Sequence, residues 1–131
     1  MKKIKFILQN EKDVLFEEIL EYKKEDDYYT FNMDKYLFRI MCNENHFDFI
    51  RETKEDIFNL TNKEINKGII TIKKPHNKFE LPIENIDYTY SLNDLSITYK
   101  LVDDDINRII KISFINDWNS IDIVKNLWHN F

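Results

Sequence analysis

The sequence predicts a mainly β protein, a closed or nearly closed antiparallel up-and-down β-barrel of about eight strands with a short C-terminal helix. Three observations lead there. Apolar and polar residues alternate with period two through most of the 131 residues, the mark of half-buried antiparallel strands. Ten Phe and seven Tyr supply a bulky inward face. With one Gly and two Pro in the chain, the turns fall to Asn and Asp, whose side chains tolerate positive φ. A run of strands sharing one apolar face removes its exposed edges by closing, leaving an interior that side chains fill or that holds one small ligand. A sheet packed on one or two helices is the alternative architecture.

The elements follow in order. Ile4, Phe6 and Leu8 line one face of a first strand. Residues 11–25 are ambiguous: Leu15, Ile19 and Tyr22 stand at helical spacing, while Val14, Phe16, Leu20 and Tyr22 fit a strand, and periodicity leaves both open. Tyr29, Phe31 and Met33 form a strand that turns at Asp34-Lys35 into Tyr36, Phe38, Ile40 and Cys42. A turn at 43–45 leads to Phe47 and Phe49, and Asp56 to Leu60 make a short strand before the polar loop TNKEINKG. Ile70 and Ile72 belong to the next strand, and Phe79, Leu81 and Ile83 to the one after. Residues 86–101, IDYTYSLNDLSITYKL, read as a hairpin with Asn93-Asp94 as a two-residue turn. That register places Tyr88 opposite Tyr99, Tyr90 opposite Ile97 and Asp87 opposite Lys100. After the acidic turn at 103–105, Ile106, Ile110, Ile112 and Phe114 share a phase. Residues 116–131 read as a helical tail, with Asp117 or Ser120 as N-cap and Ile121, Val124, Leu127 and Trp128 in one stripe. The chain is thus one domain over 1–131, barrel to 115 and tail beyond.

The run KFELPIENIDYTYSLNDLSITYKLVDDDINRIIKISF, with the earlier YYTF and YLFRIM strands, resembles the YwiB-like family of small bacterial proteins of unknown function. The likeness covers about two-thirds of the chain and rests on strand order: E-L-x-I, a short turn, L-x-I-x-Y-x-L, an acidic turn, then I-x-I-x-F. It implies a lipocalin-like (calycin) β-barrel and brings no activity with it. The chain departs from the family in having KPHNK where a glycine-containing turn is usual, and in its longer tail.

Charge and composition narrow the function. A net charge of −5 with no Arg-rich stretch argues against nucleic acid as a partner. The lysines at 63, 67, 73, 74 and 78 read as a solvated loop and strand. The scarcity of Gly excludes a P-loop, a dinucleotide fingerprint and a nucleophile elbow. The single Cys42 permits no internal disulfide and fits a reducing, cytoplasmic setting. The apolar run Ile4 to Leu8 is too short for a signal peptide, and none approaches the roughly 20 residues of a membrane span. His46, His76 and His129 complete no zinc set with Cys42, no calcium loop is present and no cofactor is expected. No acid–base or nucleophile constellation is visible, so an enzyme has little support.

Charges in apolar phase are more informative. Arg108 lies between Ile106 and Ile110, Arg51 follows Phe47 and Phe49, and Glu18 shares phase with Phe16 and Leu20. A buried charge is costly unless paired. Each arginine keeps its head in water at a barrel mouth, or Arg108 pairs with Glu18, or the arginines anchor the acidic head of an amphipathic ligand. Tyr88, Tyr90, Tyr99, Arg108, Arg51 and Glu18 are therefore the candidate ligand-binding residues for a small apolar or amphipathic molecule. The tail offers a second function, a protein–protein interface through Trp118, Ile121, Val124 and Trp128 in a monomer or homodimer.

Overall fold

The structure is a computed structural model that describes residues 2–116. Twelve strands account for its regular structure, and there is no helix among the described residues. They are β1 (Lys2–Asn10), β2 (Val14–Glu21), β3 (Lys23–Glu25), β4 (Tyr28–Met33), β5 (Tyr36–Cys42), β6 (Phe47–Glu52), β7 (Asp56–Thr61), β8 (Lys67–Ile72), β9 (Asn77–Leu81), β10 (Ile83–Ser91), β11 (Asp94–Leu101) and β12 (Asn107–Asn116). All ladders are antiparallel. The ambiguous 11–25 segment is strand, and Asn116, expected in the tail, ends β12. The expected helical tail with Trp118, Ile121, Val124 and Trp128 lies outside the described residues.

The expected barrel is not formed. The strands make two sheets, one of five strands in the order β10-β11-β12-β1-β2 and one of seven in the order β3 to β9. The chain passes between them at two corners. At the first, the Tyr22 N–H still bonds to Lys2 O at 3.1 Å in the five-stranded sheet, while Lys23 already pairs with Thr30 in the other. At the second stands Pro82, which has no N–H for a ladder. Its carbonyl accepts from Val102 N at 2.8 Å, which ties it to the five-stranded sheet. Strands that switch sheets at a bend turn a would-be barrel wall into the corners of two stacked layers.

The layers meet through the side chains that the alternation puts inward. Ile4 and Phe6 of β1, Leu95 and Ile97 of β11, and Ile110 and Ile112 of β12 face Phe31, Phe38, Ile40, Phe47, Phe49, Phe58 and Leu60 of the other sheet, all buried. Phe6 sits at the centre, 5.0 Å from the Phe31 ring and 4.8 Å from Phe38. Each such phenylalanine contributes about 1.5–3 kcal/mol by leaving water.

Several turns use Asn and Asp as expected. Asn43 Oδ1 accepts from the N–H groups of Asn45 and His46 at 2.9 and 2.8 Å, Asn10 Oδ1 does the same for Lys12 and Asp13, and Asp34 takes a φ of 52°. The β10–β11 hairpin departs from its expected register. Ser91 pairs with Asp94, Tyr90 with Leu95, Tyr88 with Ile97 and Asp87 with Thr98. Leu92 and Asn93 thus make the turn, and Leu92 takes the positive φ of 49°. The register moves by two residues, so the inward and outward faces are unchanged. Lys100 loses its expected partner Asp87 and lies 3.6 Å from Glu84.

Candidate functional site

At one end of the stack the two sheets part around a cavity of about 300 Å³. The five-stranded sheet contributes Leu8 from β1, Tyr99 from β11 and Arg108 from β12; the other contributes Phe38, Phe49, Arg51 and Phe58. The alternation explains the placement. Arg51 continues the inward phase of Phe47 and Phe49 to the end of β6, where the core stops, and Arg108 precedes Ile110 and Ile112 on β12 in the same way. Tyr99 is the cross-strand partner of Arg108.

The two guanidinium groups have different surroundings. Arg51 lies 5.4 Å from the ring centroids of both Tyr36 and Phe58, a cation–π arrangement that holds a guanidinium in place without neutralising it. Among the described residues it makes no ion pair, and its Nε is buried with no hydrogen-bond partner. Arg108 donates through Nη2 to Asp104 Oδ2 at 2.6 Å, while its Nη1 is buried and has no partner among the described residues. The bond from Arg108, with a second from the Ile106 N–H, holds the Asp104 carboxyl below its usual range. Burial pushes the Tyr99 hydroxyl above 10, against the opposing pull of Arg108 and Arg51.

Three of the six ligand-binding candidates, Arg51, Tyr99 and Arg108, are therefore gathered in one cavity. The other three are elsewhere. Tyr88 packs its ring 5.0 Å from Phe47 and donates its hydroxyl to Asn43 O at 2.5 Å, and burial raises its pKa. Tyr90 packs against the core near Cys42 and Tyr29. Neither lines the cavity. Glu18 is exposed on β2 opposite Phe6, and the partner of Arg108 is Asp104 in its place. Cys42 behaves as the small core residue its phase suggests, its thiol pushed up to about 11 by burial.

Two parts of the site are not among the sequence candidates: Asp104 of the acidic turn, and the cavity walls Phe38, Phe49 and Phe58. The walls carry no separate signal, since core and cavity lining share one alternation. A second hollow of about 640 Å³, lined by Lys2, Glu21, Lys23, Glu25 and Arg39 among others, carries charges of both signs. No family model, no curated protein and no solved structure matches this chain.

Proposed function

We propose that the chain is a binding module for a small amphipathic molecule, held between the two sheets with its polar end at the arginines. One observation carries this reading: Arg51 and Arg108, far apart in sequence, come to one cavity whose remaining wall includes Phe38, Phe49 and Phe58. Ligand sites commonly combine an apolar lining with a few placed polar groups. Two arginines at a cavity wall are a costly way to finish a core, since filling it with apolar side chains needs no compensation. The likeness to the YwiB-like family adds no activity to this reading.

A fluorescent amphipath, 1-anilinonaphthalene-8-sulfonate, tests it. One equivalent is expected to bind the native protein with enhanced emission. Leu8→Phe, which extends a side chain into the cavity, is expected to weaken that binding by about tenfold, the equivalent of about 1.4 kcal/mol. Native binding that Leu8→Phe leaves unchanged places the dye elsewhere and sinks the reading.

A further inference from the structure

The two arginines leave an electrostatic and hydrogen-bonding remainder that points to the class of ligand. Two of the buried side-chain nitrogens without a partner among the described residues, Arg51 Nε and Arg108 Nη1, belong to side chains lining this one cavity. An unfilled buried donor costs more than a filled one contributes, and more again when it is charged. The charges also fail to cancel. Arg51 and Arg108 bring two positive charges, and Asp104, bonded to Arg108 at 2.6 Å, brings one negative. One positive charge remains, on Arg51, whose neighbours are two aromatic rings.

We infer, resting on the reading that this cavity binds a small molecule, that its ligand is a compact monocarboxylate with an aromatic or branched apolar body. The carboxylate bridges Arg51 and Arg108. A monoanion brings the cavity to neutrality, whereas a dianion such as a phosphate monoester leaves a net negative charge beside Phe49 and Phe58, where desolvation is most costly. A neutral ligand leaves the charge uncompensated, and a cation is repelled. A carboxylate has acceptor positions for two donors from two guanidinium groups. Asp104 keeps Arg108 Nη2 and the Ile106 N–H, at 2.6 and 2.9 Å, which leaves the other guanidinium N–H groups of the two lining arginines to the incoming group. A cavity of about 300 Å³ stands at the small end of ligand sites, which excludes long acyl chains. The walls Leu8, Phe38, Phe49 and Phe58 suit a ring or a branched chain.

The test compares three probes of similar body, 3-phenylpropionate, 3-phenylpropan-1-ol and phenylphosphonate, at pH 8.5, by calorimetry and by the side-chain Nε–Hε resonances of the two arginines. Phenylpropionate is expected to bind at least about tenfold more tightly than the alcohol, as charge-assisted bonds are stronger than neutral ones, and to shift the resonances of both Arg51 and Arg108. It is also expected to exceed phenylphosphonate. Arg51→Met is expected to abolish the preference for the acid over the alcohol. Asp104→Asn, which leaves two uncompensated positive charges, is expected to move the preference toward phenylphosphonate. The resonance shifts are read on the unaltered protein and stand even if a variant fails to fold. Equal affinity for acid and alcohol overturns the carboxylate assignment while leaving a small-molecule cavity in place. Tighter phosphonate binding by the unaltered protein overturns the charge count. Failure of all three probes, together with failure of the naphthalene dye, overturns both this inference and the binding module itself.

Discussion

Leu92 is the residue most at odds with its position. It is 88% exposed and holds a φ of 49° in the β10–β11 turn, a region that costs an L-residue other than Gly, Asn or Asp about 1–2 kcal/mol. The comparable turns place Asp26 and Asp34 there, at 56° and 52°. Leu92→Asn or Leu92→Gly is expected to raise unfolding stability by about 0.5–1 kcal/mol, read from the denaturant midpoint at unchanged slope. An unchanged or lower midpoint contradicts the left-handed turn. The same stretch shows why the register escaped sequence reasoning. Asn93 and Asp94 are the better turn residues by chemistry, yet neither of them has the positive φ, and a shift of two residues keeps Tyr88, Tyr90 and Tyr99 on the inward face. Arg51 and Arg108 were legible because a charge in an apolar phase is visible in one strand. Asp104 was not, because its bond to Arg108 depends on how the loop folds back over the strand end.

At the scale of elements, the corner at Pro82 depends on a small neighbour. Gly68 of β8 is buried opposite Leu81, and a Cβ there would stand 3.3 Å from both Leu81 Cδ1 and Ile83 Cδ1. These residues flank Pro82, so Gly68 gives the bend room to fold down on β8. Gly68→Ala displaces only the flexible ends of two side chains and is expected to be nearly neutral. Gly68→Val inserts further methyl groups into the corner and is expected to cost about 1–3 kcal/mol in chemical denaturation. Equal midpoints for the two variants are the outcome that contradicts close packing at this corner. Most strands were readable from alternation, from Ile4-Phe6-Leu8 to Ile110-Ile112-Phe114, but Phe79, Leu81 and Ile83, in one phase, fall to two strands of different sheets. The choice between a closed barrel and two sheets was not, because inward phase is the same in both. What separates them is local: the handover between ladders at Tyr22 and a proline between Leu81 and Ile83.

For the whole molecule, alkali is the revealing variable. Tyr22, Tyr88, Tyr90 and Tyr99 have hydroxyl pKa values raised mainly by burial. Tyr28 is pushed up to about 12 by burial and by its hydrogen bond to the Asp48 carboxylate. A folded-state pKa above the unfolded value of 10 means the folded protein holds its protons longer. That contribution to stability is complete below about pH 10 and is lost as pH rises through the folded values. Absorbance at 295 nm is therefore expected to show tyrosine ionisation lagging that of free tyrosine, then rising together with the loss of β-sheet circular dichroism between about pH 10 and 12. Ionisation of all the tyrosines near pH 10 with the sheet signal intact contradicts the burial described. Acid is expected to act in the opposite sense through Glu52, whose carboxyl is held below its usual range by Lys73 and Arg39. The stability this lends is present at neutral pH and declines as pH falls below about 4.5.

The pairing of β1 with β12, which joins Lys2 to Asn116 and Asn10 to Arg108, also sets an order of events during synthesis. The seven-stranded sheet is a meander of contiguous chain, and each of its strands meets its neighbour soon after emerging from the ribosome. The β1–β2 hairpin precedes the meander in the chain, yet it waits for almost the whole described chain before its other edge is filled. Until then Ile4 and Phe6 lack the strand beside them, and the five-stranded sheet can be completed only by a contact of long sequence separation, the slow class of folding step. The arginines of the cavity arrive on the same schedule: Arg51 comes with the earlier meander, and Arg108 with β12.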